Sequence, residues 1–166
     1  MKTLVVYYSN SGNTRTVAQK VAGVLGADLE EIVERKHRAP LLDEQGKAVG
    51  GMGMPKAALS ALLGVGSGIE SAKNDPADYD LVVVGTPVWV GSLVPPVRSY
   101  LRRNRKRIKS VALFCTCGQT EKLKAISQMT GLARQEPKAT MAVLADDVRA
   151  GSLDEAVKVF TSALLG

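Results

Sequence analysis

The sequence predicts an α/β fold, a doubly wound five-stranded parallel sheet with helices on both faces. Three observations predict it. Short apolar runs rich in β-branched residues recur along the chain, too short to be buried helices. Segments with helical apolar spacing alternate with them, the pattern of strand–helix–strand units. Short polar stretches holding glycine follow several runs, where such a sheet keeps its ligands, beyond the carboxyl ends of its strands.

Thr3–Tyr8 reads as a fully buried strand, and Thr14–Leu25 as a helix with Val17, Val21, Val24 and Leu25 along one side. Leu29–Val33 is a weaker second strand. Leu81–Val84, bounded by Asp80 and Gly85, is a strong third. Pro95–Arg107 reads as a helix, since proline is tolerated in a first turn. Val111–Cys115 is a fourth strand, followed by a helix over Glu121–Leu132. Thr140–Leu144 is the fifth strand. Leu153–Leu165 closes the chain as a helix, with Ser152 as N-cap and Glu155 completing a capping box.

All 166 residues fit one domain, and no internal repeat is visible. Residues 34–76 are the least regular part. They hold seven of the sixteen glycines, and a helix over Pro55–Leu63 fits among them. A lid and a plain surface insertion are both open for this stretch. The apolar run near Met1 is too short for a signal peptide or a membrane span, so the cytoplasm is the expected compartment. Cys115 and Cys117 lie one residue apart; an extended chain holds such sulfurs apart, so they are expected as reduced thiols with no metal. The only histidine, His37, falls in a basic turn. The net charge is +6 and concentrates in Arg98–Lys109, which holds Arg98, Arg102, Arg103, Arg105, Lys106, Arg107 and Lys109. The rest is nearly balanced, so no specific nucleic-acid role is implied. The basic segment reads either as a solvated helix face or as a docking surface for an acidic partner protein or, weakly, an anionic membrane surface.

Three loops carry the functional reading. Ser9-Asn10-Ser11-Gly12-Asn13-Thr14 joins the first strand to the first helix. Backbone N–H groups at a helix start carry partial positive charge, and short polar side chains complete the coordination of an anion. No lysine serves a triphosphate and no G-x-G-x-x-G serves a dinucleotide, so one terminal phosphate suits the loop. The same residues also suit a plain N-cap cluster. Gly85-Thr86-Pro87-Val88-Trp89-Val90-Gly91-Ser92 carries the only tryptophan. An aromatic wall beside backbone N–H groups fits a flat, hydrogen-bonding ring, although Trp89 could equally pack on a neighbouring loop. Thr116-Cys117-Gly118-Gln119-Thr120 is small enough to let backbone approach a ring edge. Cys117 is read as an inert thiol, because a phosphatase C-x-x-x-x-x-R would need arginine where Leu123 stands.

With these loops in hand, the chain resembles the flavodoxin family over nearly its whole length. The resemblance rests on Tyr7-Tyr8-Ser9-Asn10-Ser11-Gly12-Asn13-Thr14, on Gly85-Thr86-Pro87-Val88-Trp89-Val90-Gly91 and on Phe114-Cys115-Thr116-Cys117-Gly118. It implies a flavodoxin-like sheet of order 2-1-3-4-5 and a bound flavin mononucleotide (FMN). It further implies that Ser9, Asn10, Ser11, Gly12, Asn13 and Thr14 hold the phosphate. Thr86, Pro87, Val88, Trp89, Val90 and Gly91 would flank the isoalloxazine and ribityl chain, and Thr116, Cys117, Gly118 and Gln119 would close the other side.

Two departures matter. The third loop has no aromatic residue to stack on a flavin, and neither Thr86–Val94 nor Thr116–Thr120 contains an acid. An FMN-dependent oxidoreductase moving electrons from NAD(P)H to a quinone or similar acceptor is therefore expected, with a one-electron carrier docking to redox proteins as the alternative. No side chain stands out as a catalytic acid or base. The oligomeric state, a homodimer included, is left open.

Overall fold

The computed structural model describes residues 1–35, 66–118 and 122–166. The elements are β1 (Thr3–Tyr7), α1 (Asn13–Leu25), β2 (Asp28–Glu31), a 3-10 turn (Pro76–Asp78), β3 (Leu81–Trp89), β4 (Ser92–Leu93), α2 (Pro95–Asn104), β5 (Val111–Cys117), α3 (Lys122–Ala133), β6 (Thr140–Leu144), α4 (Ala145–Ala150) and α5 (Asp154–Leu165). The five long strands run parallel in the order β2-β1-β3-β5-β6. That is the expected 2-1-3-4-5 once β4, an antiparallel extra pairing only with β3, is set aside. The expected helix Pro55–Leu63, His37 and most of the glycine-rich stretch lie outside the described residues.

Alternation along each strand divides the core in two. Leu4, Val6, Val82, Val84, Val111 and Leu113 face one side, where Val97, Tyr100 and Leu101 of α2 and Met129 of α3 cover them. Val5, Leu81, Val83, Ala112 and Phe114 face the other, under Val17 and Val21 of α1 and Val157, Phe160 and Leu164 of α5. Strands buried on both faces are why these runs are apolar throughout instead of alternating. Among the described residues, no helix is long and apolar enough to cross a membrane.

Several boundaries differ from expectation. The third strand does not stop at Val84 but continues to Trp89, because Gly85–Pro87 pair with β5 and β4 folds back to pair with Val88 and Trp89. The fourth expected strand reaches Cys117, held by β6. Ser152 does not cap the last helix. Leu153 is the N-cap, with no side-chain bond to the helix start among the described residues. The reason is α4, which the sequence reading missed. Its end closes through Gly151 at φ +75°. The Gly151 N–H bonds Val148 O (3.2 Å) and the Ser152 N–H bonds Asp147 O (2.9 Å), the Schellman pattern. The Ser152 N–H is thus taken by α4 and is not available to the Glu155 half of the expected capping box.

β2 carries an inversion. Glu30 is buried, whereas Leu29 is exposed. A buried carboxylate needs donors, and Glu30 has three: the N–H groups of Lys73 and Asn74 and the Asn74 amide, each at 2.8 Å. These bonds tie residues 73–74 to β2.

Candidate functional site

Pairing of Tyr7 with Gly85 and of Gly85 with Phe114 sets the ends of β1, β3 and β5 side by side, so the three predicted loops leave one edge of the sheet together. At the first loop Gly12 is the N-cap of α1 at φ +94°, a conformation that favours glycine. Ser9 Oγ accepts from the Gly12 N–H at 3.1 Å, closing the turn. No side chain caps α1 among the described residues, and its first turn holds no acid. The positive end of the helix is therefore left for an outside anion. Ser9, Asn10, Gly12 and Asn13 are half-buried and Ser11 is exposed, while Thr14 is buried.

The second loop is a hairpin. Trp89 pairs with Ser92, and both turn residues have positive φ, Val90 at 49° and Gly91 at 67°. This is the two-residue turn whose twist suits paired strands. Thr86 is buried in the strand, its hydroxyl donating to Pro87 O at 2.8 Å. Pro87, Val88 and Trp89 are half-buried, Val90 is exposed and Gly91 is buried. The Trp89 ring stands edge-on to Tyr8, centroids 6.0 Å apart and planes at 79°. Tyr8 in turn donates to buried Glu34 at 3.0 Å.

At the third loop, Thr116 and Thr14 share a buried hydroxyl–hydroxyl hydrogen bond of 2.8 Å, locking β5 to the start of α1. The Cys117 thiol is buried and donates to Val143 O at 3.6 Å. Gly118 is exposed, with open space where a Cβ would sit. Gln119 lies outside the described residues. The predicted residues thus form two groups. Ser9, Ser11, Gly12, Asn13, Trp89, Val90 and Gly118 offer surface or backbone at the edge. Thr14, Thr86, Thr116 and Cys117 bond to the protein itself and brace the loops.

Charges around the site are managed. Arg15 grips Glu31 through both carboxylate oxygens, at 2.8 and 2.9 Å, and this bond raises the Arg15 pKa. Burial, foremost, pushes the Tyr7 hydroxyl up; it donates to the same carboxylate at 3.4 Å. The sequence reading missed four residues of this surround: Tyr8, Glu34, Arg98 and Gln128. Tyr8 stands in the quoted motif, but only the fold sets it against Trp89. Glu34 carries no spacing signal. Gln128 of α3 accepts from the Leu93 N–H at 2.8 Å. Arg98 hides in a basic run whose other cations are mostly exposed.

A cavity of about 380 Å³ lies elsewhere, between β2, residues 69–76 and α2. None of the predicted site residues lines it.

A protein-family pattern described as Flavodoxin matches residues 2–142. Among solved structures, a flavoprotein of Lactobacillus acidophilus determined in complex with FMN is 25% identical, covering 91% of this chain and 97% of its own, with a TM-score of 0.65. A candidate flavoprotein of Bacteroides eggerthii is 20% identical, covering 93% and 97%, with a TM-score of 0.71. The oxidised Flavodoxin 2 of Bacillus cereus is 17% identical, covering 98% and 97%, with a TM-score of 0.58, and speaks for the fold. The matched pattern spans all three loops, and on that ground the chain belongs to the flavodoxin family.

Proposed function

We propose that this chain binds one FMN at the edge formed by the three loops and acts as an FMN-dependent oxidoreductase, taking electrons from NAD(P)H and passing them to a quinone or similar acceptor. FMN supplies the hydride- and electron-accepting chemistry when bound. The residues fit that group: the uncapped start of α1 suits its phosphate, and a Lactobacillus acidophilus relative was solved holding FMN. Ser9, Asn10, Ser11, Gly12, Asn13 and Thr14 would hold the phosphate, with Thr14 acting mainly through Thr116. The Trp89 hairpin would form one wall, and Gly118 with its neighbours the other.

The observation that carries the enzyme reading is the third loop: Thr116–Gly118 holds no aromatic residue, and among the described residues nothing lies within 4 Å of where a Gly118 Cβ would stand. A flat donor and then a flat acceptor could reach the cofactor from that side in turn. The carrier reading draws no support from the distal half of the basic segment, Arg105–Lys109. Arg105 to Lys109 sit next to Ser110, whose carbonyl accepts from Val82 near the start of β3, and β3 ends at Trp89. A partner bound there would meet the end of the sheet remote from the three loops.

The test is anaerobic mixing of the FMN-loaded protein with NADPH, followed by a quinone. Bleaching of the flavin band by NADPH, and its return with quinone, is expected. A flavin that NADPH cannot bleach but that a reduced redox protein can would establish the carrier instead.

A further inference from the structure

Arg98 is 7% exposed, yet among the described residues no carboxylate pairs with it. Its Nη2 donates only a long bond, 3.4 Å, to Leu93 O, and its Nε has no partner. A buried cation without an anion is expensive. Burial, with Arg102 one turn along, pulls the Arg98 pKa down from its ordinary value, but a guanidinium keeps its proton at neutral pH. The charge is therefore present and, among the described residues, meets only a carbonyl.

Its place is specific. Leu93 pairs with Val88 in the hairpin that carries Trp89. The polar groups of the Leu93 backbone are taken by side chains, the N–H by Gln128 and the carbonyl by Arg98. Two side chains thus clamp the hairpin, one neutral and one cationic. No ionisable carboxylate stands in the hairpin, in α2 or in β5. Among the described residues, Glu34 is linked to Trp89 by way of Tyr8.

We propose that Arg98 is a redox-positioning residue: its buried positive charge, held against the base of the Trp89 hairpin, favours the fully reduced, anionic flavin over the oxidised, neutral ring. This rests on the FMN reading above. Hydride transfer from a reduced nicotinamide delivers two electrons and one hydrogen to the flavin, leaving the ring with one negative charge and the nicotinamide oxidised. That new charge is the anion the guanidinium lacks. A unit charge acting through a partly buried path is worth about a factor of ten or more in the preference for reduced over oxidised FMN.

The experiment measures dissociation constants of oxidised and dithionite-reduced FMN, and the two-electron midpoint, for wild type, Arg98→Met, Arg98→Lys and Gln128→Met. Arg98→Met is expected to lower the reduced-over-oxidised affinity ratio at least about tenfold, a fall of about 30 mV for a two-electron couple. Arg98→Lys, whose ammonium gives up its proton more readily on burial than a guanidinium does, should fall between wild type and Arg98→Met. Gln128→Met loosens the clamp without changing charge; it should weaken both forms alike and leave the ratio unmoved. Methionine fills the arginine volume, and removing an unpaired buried charge favours folding. An Arg98→Met ratio equal to wild type, or a Gln128→Met ratio that falls as far, would overturn the proposal in favour of a purely structural clamp. A wild-type protein that binds neither form of FMN would overturn the underlying reading as well.

Discussion

Gly85 offers the sharpest test of how the sheet positions the site. It stands in β3, between Tyr7 and Phe114, one residue before Thr86. A Cβ placed there would lie 2.1 Å from Phe114 Cζ, 2.5 Å from Cε1 and 2.7 Å from Cε2. Three ring atoms within a forbidden distance cannot be relieved by a small rotation, and Phe114 is fully buried. Gly85→Ala must displace the ring, or part β3 from β5 where both feed the site. Overpacking of this kind costs about 3 kcal/mol, which lowers the melting temperature by about 6 to 12 °C in a chain of this size. Phe114→Leu removes the clashing atoms at a cost of about 1 to 2 kcal/mol for the lost burial. The double variant should then be more stable than the sum of the singles by about 2 kcal/mol. Urea denaturation of the four proteins, with and without saturating FMN, supplies the cycle. A Gly85→Ala change within 0.5 kcal/mol of wild type, or strictly additive variants, would refute the packing argument.

Three further outcomes are expected. Val90 is a β-branched residue at φ +49°, about half exposed; Val90→Gly should stabilise the protein by about 0.5 to 1 kcal/mol, the left-handed penalty less the entropy of glycine, read as a rise in urea midpoint. Ser11→Asp sets a carboxylate at the uncapped start of α1; by like-charge repulsion it should weaken FMN binding about ten- to a hundredfold in fluorescence titration, while the apoprotein keeps its melting temperature. The buried Tyr79 hydroxyl, at 2.8 Å from Asp28 and 3.0 Å from Asn74, has its pKa pushed up to about 12, by burial first and Asp28 second. Because the folded value lies above the unfolded value of 10.0, its contribution is complete below pH 10 and disappears as pH rises to 12. Urea midpoints over that window should fall more steeply for wild type than for Tyr79→Phe.

The parallel strands and the three loops were legible in the sequence because each rests on local patterning, whereas the strand order came from the resemblance to the flavodoxin family. A strand buried on both faces must be apolar throughout, and a loop that meets an anion at a helix start must be short, polar and flexible. Thr3–Tyr7, Leu81–Val84 and Ser9–Thr14 declare themselves in this way. α4 and its hold on the Ser152 N–H were not legible, since Gly151 and Ser152 suit the end of one helix as well as the start of another. Nor was the hairpin, because β4 is two residues long and gains its identity only from β3.

What the sequence alone determined is the class of fold, a property of contiguous apolar runs, and, through its resemblance to the flavodoxin family, the cofactor to expect. Tertiary structure decided which polar residues face the edge and which brace it. Thr14 and Thr116 are 102 positions apart and meet in one hydrogen bond. It also separated Arg98 from the basic run it belongs to in the chain. Residues 98 to 109 carry seven cations in sequence, but burial is set by neighbours distant along the chain. Arg102 and Arg103 of the helix and the cations that follow it are mostly exposed, whereas Arg98 is held beneath the Trp89 hairpin, where water screens its charge far less.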